Sequence, residues 1–295
     1  VIASFVVGTC VAMIGGASAS AREVDPRRAI DLDGTWQVAE GAMDAIPERF
    51  EHKVPVPGLI DMAKPAFEEV GKKSEKRQAF WYRRTFVVKG PVAAAAILKI
   101  HKACYGTKVW LNGRVVGESL ACFTPVYCDV KAVLKGGGQE NELIVRVGAD
   151  RDSMPQDMPT GWDFEKYLYI PGIYDSVELI LSGKPFIKNI QVVPDIDAQE
   201  IRVVAEIDCG ENAGEVALSG EVTPAKADTV VGQTRVVLSP ANLQKAELAI
   251  SIPDCRLWSP EDPFLYQLTL STGQDAARVR FGMRSFRFDP ETKRA

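Results

Sequence analysis

From about residue 27 onward the chain is a succession of short runs in which apolar and polar side chains alternate, separated by Gly, Pro, Asn and Asp. A period of two sends successive side chains to opposite faces, which is the signature of a strand with one face toward a core. Leu143, Val145 and Val147 alternate with Ile144 and Arg146, and Ile201, Val203, Ala205 and Ile207 alternate with Arg202, Val204, Glu206 and Asp208. Each run is expected to have one core face and one face largely for water. Between Lys108 and Gly117, Asn112-Gly113 separates two such runs. Both residue types tolerate positive φ, so the spacing predicts a two-residue type I′ hairpin with Trp110 just before the turn.

The rhythm changes near Ser182-Gly183-Lys184-Pro185. Before it, strand-like runs are irregularly spaced, and residues 68–78 and 150–166 are polar excursions with Pro and Gly. After it, runs recur at 187–193, 201–207, 216–222, 230–237, 246–252, 264–270 and 279–283. Seven short strands in about one hundred residues predict an immunoglobulin-like sandwich. The final run changes phase, from Val279, Phe281 and Met283 to Phe286 and Phe288, and a bulge or sheet change near Arg284-Ser285 would account for that. The expected fold class is all-β: a jelly-roll β-sandwich over 27–182, then an immunoglobulin-like β-sandwich over 183–289.

Composition supports this and narrows the function. The 295 residues are 46% hydrophobic and 25% charged, enough for two domains with cores of their own. A net charge of −4 leaves no basic excess to neutralise phosphates, so no nucleic-acid partner is expected. The basic pairs Lys72-Lys73 and Lys76-Arg77 sit among Glu68, Glu69 and Glu75 and read as a solvated loop. Residues 1–13 are mostly apolar and lead into Ala17-Ser18-Ala19 and Ala19-Ser20-Ala21, the small-residue spacing of an export cleavage site. Residues 1–21 are therefore expected to be a signal peptide, and the mature protein to be periplasmic or extracellular without a membrane span. Six cysteines include Cys10 in that leader; the remaining five show no C-x-x-C spacing, and most read as small buried hydrophobes, although Cys122 and Cys128 could bridge in an oxidising compartment. There is no phosphate loop and no metal-ligand cluster, so no cofactor or metal is expected.

Six stretches stand out in order: Leu32-Asp33-Gly34-Thr35-Trp36; Phe80-Trp81-Tyr82-Arg83-Arg84-Thr85-Phe86; Val109-Trp110-Leu111-Asn112-Gly113, with Gly117, Phe123-Thr124-Pro125 and Asp129-Val130; Ile170-Pro171-Gly172-Ile173-Tyr174-Asp175-Ser176-Val177; Leu257-Trp258-Ser259-Pro260, continuing to Tyr266; and Phe281-Gly282-Met283-Arg284. Together they resemble glycoside hydrolase family 2, the group of β-galactosidases, β-glucuronidases and β-mannosidases. The resemblance implies a galactose-binding-like jelly roll and an immunoglobulin-like domain. It also implies retaining hydrolysis by two glutamates about 5 Å apart on a third domain, a (β/α)₈ barrel of about 250 residues. The sequence after Arg284 holds no such barrel. The chain is accordingly expected to be the non-catalytic front part of a glycosidase, inactive alone, with the barrel of the parent protein as its partner.

Asn141-Glu142 imitates the family's Asn-Glu acid/base pair, but it lies between Gly136-Gly137-Gly138 and a strand, a structural position. His52 and His101 stand without a motif partner. The resemblance also implies that a jelly-roll loop lines the sugar pocket, and the matching region is 161–169. There Trp162 and Tyr167 suit stacking on a pyranose, and Asp163 and Glu165 suit accepting hydrogen bonds from hydroxyls. The same aromatics suit sealing the end of the sandwich. Trp36, Trp81, Trp110 and Trp258 read as packing residues. Two other readings stay open: a free-standing exported carbohydrate-binding module, and a structural or interaction protein. The sequence leaves the oligomeric state open.

Overall fold

The computed structural model describes residues 26–161, 168–210, 214–239, 241–288 and 291–292. These form two compact units, one of Arg28–Ser182 and one of Arg27 with the chain from Gly183 onward. Among the described residues the regular structure is strand, apart from two short 3₁₀ turns at Ile60–Met62 and Arg151–Ser153.

The 28–182 unit contains β1 (Arg28–Asp31), β2 (Gly34–Gly41), β3 (His52–Val56), β4 (Gly58–Leu59), β5 (Ala79–Val87), β6 (Ala95–Ile100), β7 (Ala103–Cys104), β8 (Thr107–Leu111), β9 (Arg114–Ser119), β10 (Val126–Asp129), β11 (Glu140–Gly148), β12 (Gly172–Ile173) and β13 (Val177–Ser182). They pair as a six-stranded sheet β3-β2-β5-β11-β8-β9, a four-stranded sheet β1-β13-β6-β10 and a small sheet β4-β12-β7. The order is far from sequential, as in a jelly roll. Alternate residues of the two large sheets meet in one core: Trp36, Phe80, Tyr82, Val109 and Val145 from one side, Leu98, Ile100, Val126 and Leu179 from the other. The indole N–H of Trp36 donates to the Leu32 carbonyl at 2.8 Å, so the core's largest side chain leaves no polar group unpaired.

Two expectations are met residue by residue here. Leu111 pairs with Arg114, and Asn112 and Gly113 have φ of 51° and 78°, as the two-residue hairpin requires. Leu143, Val145 and Val147 face the core. The opposite face of β11 departs from expectation: it is covered rather than wet. Ile144 and Trp81 are buried there beneath Met43, Phe50 and Trp110, with the Trp81 and Trp110 rings 5.2 Å apart. The segment after β2 folds back over this face because Trp81 Nε1 donates to the Ala42 carbonyl at 2.9 Å and Arg146 Nη1 to the Met43 carbonyl at 2.8 Å.

The second unit contains β14 (Phe186–Asp195), β15 (Glu200–Asp208), β16 (Val216–Pro224), β17 (Gly232–Leu238), β18 (Leu243–Ser251), β19 (Tyr266–Ser271) and β20 (Ala276–Phe281). They form two antiparallel sheets, β14-β15-β18 and β17-β16-β19-β20, an immunoglobulin-like sandwich. Ile201, Val203, Ala205 and Ile207 pack in its core with Leu218, Leu248, Leu268 and Leu270. The phase change beyond Phe281 has a different cause from a bulge between strands. The ladder ends at Phe281, Met283 makes an isolated parallel bridge to Leu257, and Phe286 and Phe288 lie outside any strand, 67% and 79% exposed. One buried ion pair organises this unit. Asp275, fully buried, accepts from Arg27 Nε at 2.9 Å, Arg27 Nη2 at 2.5 Å and the Ile187 amide at 2.7 Å.

Candidate functional site

Trp162, Asp163, Glu165 and Tyr167, the residues proposed from sequence to meet a sugar, lie outside the described residues. The described residues on either side of them form a rim. On the departing side, Gly161 has φ of 70° and packs on Phe123, where an added Cβ would stand 2.9 Å from the ring. On the returning side, the Tyr169 amide donates to the Gly71 carbonyl at 3.2 Å. Tyr105 Oη donates to the Tyr169 carbonyl at 3.4 Å, and burial pushes the Tyr105 phenol well above its ordinary range. At Gly172 an added Cβ would fall 2.4 Å from the Gly58 carbonyl oxygen, so β12 can approach β4 only through glycine. The Tyr174 hydroxyl donates to the Cys122 carbonyl, and burial raises its pKa to about 12, so it stays a donor at neutral pH.

The rim is apolar with polar groups set into it. Tyr105, Cys122 and Met154 are buried together, with Cys104, Met158 and Tyr169 against them. Phe123 and Leu168 are exposed beside them. Exposed aromatic faces next to hydroxyl and carbonyl groups can hold the C–H face of a pyranose. The Thr160 hydroxyl is buried without a partner among the described residues.

The neighbouring 68–78 loop is more ordered than a solvated loop. Arg77 is only 5% exposed. It pairs with Glu40, donates from Nη2 to the Glu68 carbonyl at 2.5 Å, and lies 5.1 Å from the Phe80 ring centroid. Sequence reading missed this because the partner Glu40 is remote and Arg77 looks like one more charge in a charged run. On the surface of the same loop, Lys73 bonds Asp152 at 2.8 Å, and this bond holds the Asp152 carboxyl below its usual range.

Asn141-Glu142 is structural, as expected. Asn141 is buried, its Oδ1 accepting from the Lys135 amide at 2.8 Å and from Asn112 Nδ2 at 2.9 Å. Glu142 Oε1 accepts from Arg83 Nε at 2.6 Å. His101 Nε2 lies 2.9 Å from Glu178 Oε1, and His52 stacks on Phe67 at 3.8 Å. Among the described residues, no group of three or more His, Cys, Asp or Glu is placed to hold a metal ion, and no helix is long and apolar enough to cross a membrane.

The cysteines do not follow the spacing-based candidate. Cys122 meets Cys104, sulfur to sulfur at 3.1 Å, while Cys128 is buried elsewhere, against Gly117. The chain distance of six between Cys122 and Cys128 misled because β10 turns the Cys128 side chain into the core.

Comparison with known proteins matches two family models to the two units. Residues 59–172 match the galactose-binding domain-like model of glycosyl hydrolase 2, and residues 186–284 match glycosyl hydrolases family 2. A β-glucuronidase of Paenibacillus borealis is 24% identical over 285 residues, which are 88% of this chain and 46% of that protein. A β-galactosidase of Thermoanaerobacter pseudethanolicus is 26% identical over 205 residues, 68% of this chain and 26% of that protein. The solved Faecalibacterium prausnitzii β-glucuronidase superposes with a TM-score of 0.68 at 22% identity, covering 92% of this chain and 48% of that one. The chain thus spans less than half the length of each of these relatives.

Proposed function

Since the chain belongs to glycosyl hydrolase family 2, we propose that it is the non-catalytic front part of an enzyme that hydrolyses β-linked hexopyranosides. The observation that carries this reading is the pair of family models lying side by side, at 59–172 and 186–284, in a chain that spans under half of its relatives. The tying of Asn141-Glu142 into a hairpin and a strand supports it, since the one Asn-Glu pair that imitates catalytic residues is occupied structurally. In this reading the bond is broken by two carboxylates about 5 Å apart on a barrel segment beyond the chain, one as nucleophile and one as acid/base. The jelly roll supplies the 161–169 loop to the pocket, with Trp162 and Tyr167 stacking on the sugar ring and Asp163 and Glu165 accepting from its hydroxyls. The order of residues 1–21, apolar then Ala-x-Ala, supports export of the whole.

The test has two arms. The purified chain, offered 4-nitrophenyl β-D-glucuronide and β-D-galactoside, is expected to release no nitrophenol; turnover would overturn the non-catalytic assignment. In the enzyme that carries the chain, Trp162→Ala is expected to raise KM roughly three- to tenfold through lost stacking. An unchanged KM would remove the loop from the pocket.

A further inference from the structure

We propose that Cys104 and Cys122 are a disulfide-forming pair, an oxidative modification site at the rim of the jelly-roll unit that clamps the hairpin of β8 and β9. The two residues come from different elements. Cys104 ends β7 and is registered opposite Gly172 of β12. Cys122 lies in the segment that follows β9, where the Tyr174 hydroxyl holds its carbonyl and the Ala121 amide is held by Ser119 Oγ at 3.1 Å. The Cys104 thiol donates to the Cys122 sulfur across 3.1 Å. Bonding distance is about 2.05 Å, so the sulfurs need to close by roughly one ångström. Tyr105 and Met154 pack around them, so the side chains are already gathered into one cluster rather than drawn from solvent.

The electrostatics of the pair suit exchange. The hydrogen bond from Cys104, helped by the Gly106 amide and opposed by burial, draws the Cys122 thiol down to about 7, while the same bond holds the proton on Cys104. One thiolate is therefore shared by the two sulfurs near neutral pH. The other buried thiols behave differently: burial alone lifts Cys128 to about 11, and burial also raises Cys209. Cys104 is half-buried while Cys122 is buried, so an incoming reagent meets Cys104 first.

The oxidant required is a small disulfide, RSSR, of the oxidised-glutathione type. Cys104 passes its proton across the contact to Cys122, attacks RSSR as thiolate, and expels RS⁻. That RS⁻ takes the proton from Cys122, whose thiolate then attacks the Cys104 sulfur and expels a second RS⁻, protonated from water. Two electrons leave the cysteine pair and reduce one RSSR to two RSH. The resulting bridge spans residues 104 to 122 and encloses the whole β8–β9 hairpin.

The reduced full chain would be incubated with oxidised glutathione, denatured, alkylated with iodoacetamide and digested under non-reducing conditions with trypsin and chymotrypsin. Cleavage after Phe123 separates Cys122 from Cys128. The expected result is loss of two alkylatable thiols and a peptide carrying Cys104 linked to one carrying Cys122, dissolved by dithiothreitol. Alkylation of both residues, a stable glutathione adduct on Cys104, or a Cys122–Cys128 link would each overturn the proposal.

Discussion

Removing the Asp275 carboxylate isolates the contribution of one buried ion pair to the immunoglobulin-like domain. In Asp275→Ala, three donors lose their acceptor together: Arg27 Nε, Arg27 Nη2 and the Ile187 amide. Asp275 is fully buried and the Arg27 side chain is 21% exposed, so the guanidinium, which keeps its bond to the Ile187 carbonyl at 2.6 Å, regains only part of its hydration. Breaking a buried pair from one side costs about 3–5 kcal/mol, and the residual exposure of Arg27 places this case near 3. In a domain of this size that corresponds to a melting shift of roughly 10 °C. Differential scanning calorimetry on the full chain is the assay, because two cores of this size are expected to give two transitions. The transition of the second unit should fall and that of the jelly roll should stay. The Arg27→Met/Asp275→Ala double variant should be no less stable than Asp275→Ala alone, since the cation that lost its carboxylate is then gone. A shift below about 2 °C, or strictly additive single effects, would refute the claim that this carboxylate acts through its pairing.

Two further outcomes follow from the geometry. Asn112→Ala loses the bonds to Val133, Asn141 and Glu142 and forces alanine to a φ of 51°, and should lower stability by about 2–3 kcal/mol in urea titration, whereas Asn112→Gly keeps the turn and should cost less. Burial works upward on Asp208, yet the Lys184 hydrogen bond at 2.8 Å and the Gly210 amide at 2.9 Å outweigh it and hold the carboxyl below its ordinary range. A lowered folded pKa contributes stability that is present above about pH 4 and is lost as pH falls through the folded value, so Asp208→Asn should flatten the stability profile below about pH 4, by less than about 1 kcal/mol at this partly exposed site.

What the sequence disclosed was whatever short-range chemistry determines. The Asn112-Gly113 turn is set by two residues that tolerate positive φ, and the β15 core face by strict alternation of Ile201, Val203, Ala205 and Ile207. The covered outer face of β11 was hidden because its lid, Met43 and Phe50, lies about a hundred residues earlier and is fixed by Trp81 and Arg146 bonding to backbone. Arg77 with Glu40, Arg27 with Asp275, and Cys104 with Cys122 were hidden for the same reason: each partner is brought by topology, and neither residue type nor spacing marks it. The family motifs were legible because they lie in the ladders and turns that build the two sandwiches. Of the candidate sugar site, only the rim is described. The glycines that shape it, Gly161 and Gly172, stand beside Phe123 and Gly58, neighbours no local pattern could supply.

The Trp81–Trp110 contact also gives the jelly roll an optical signature. Two indoles 5.2 Å apart and inclined at 40° couple their transition dipoles, which should produce an exciton couplet in circular dichroism. Trp36 is sealed in the main core. The couplet should therefore vanish when the outer layer of Met43 and Phe50 peels from β5 and β11, even while Trp36 emission still reports an intact interior. The domain carries a native probe that separates loosening of its outer layer from collapse of its core.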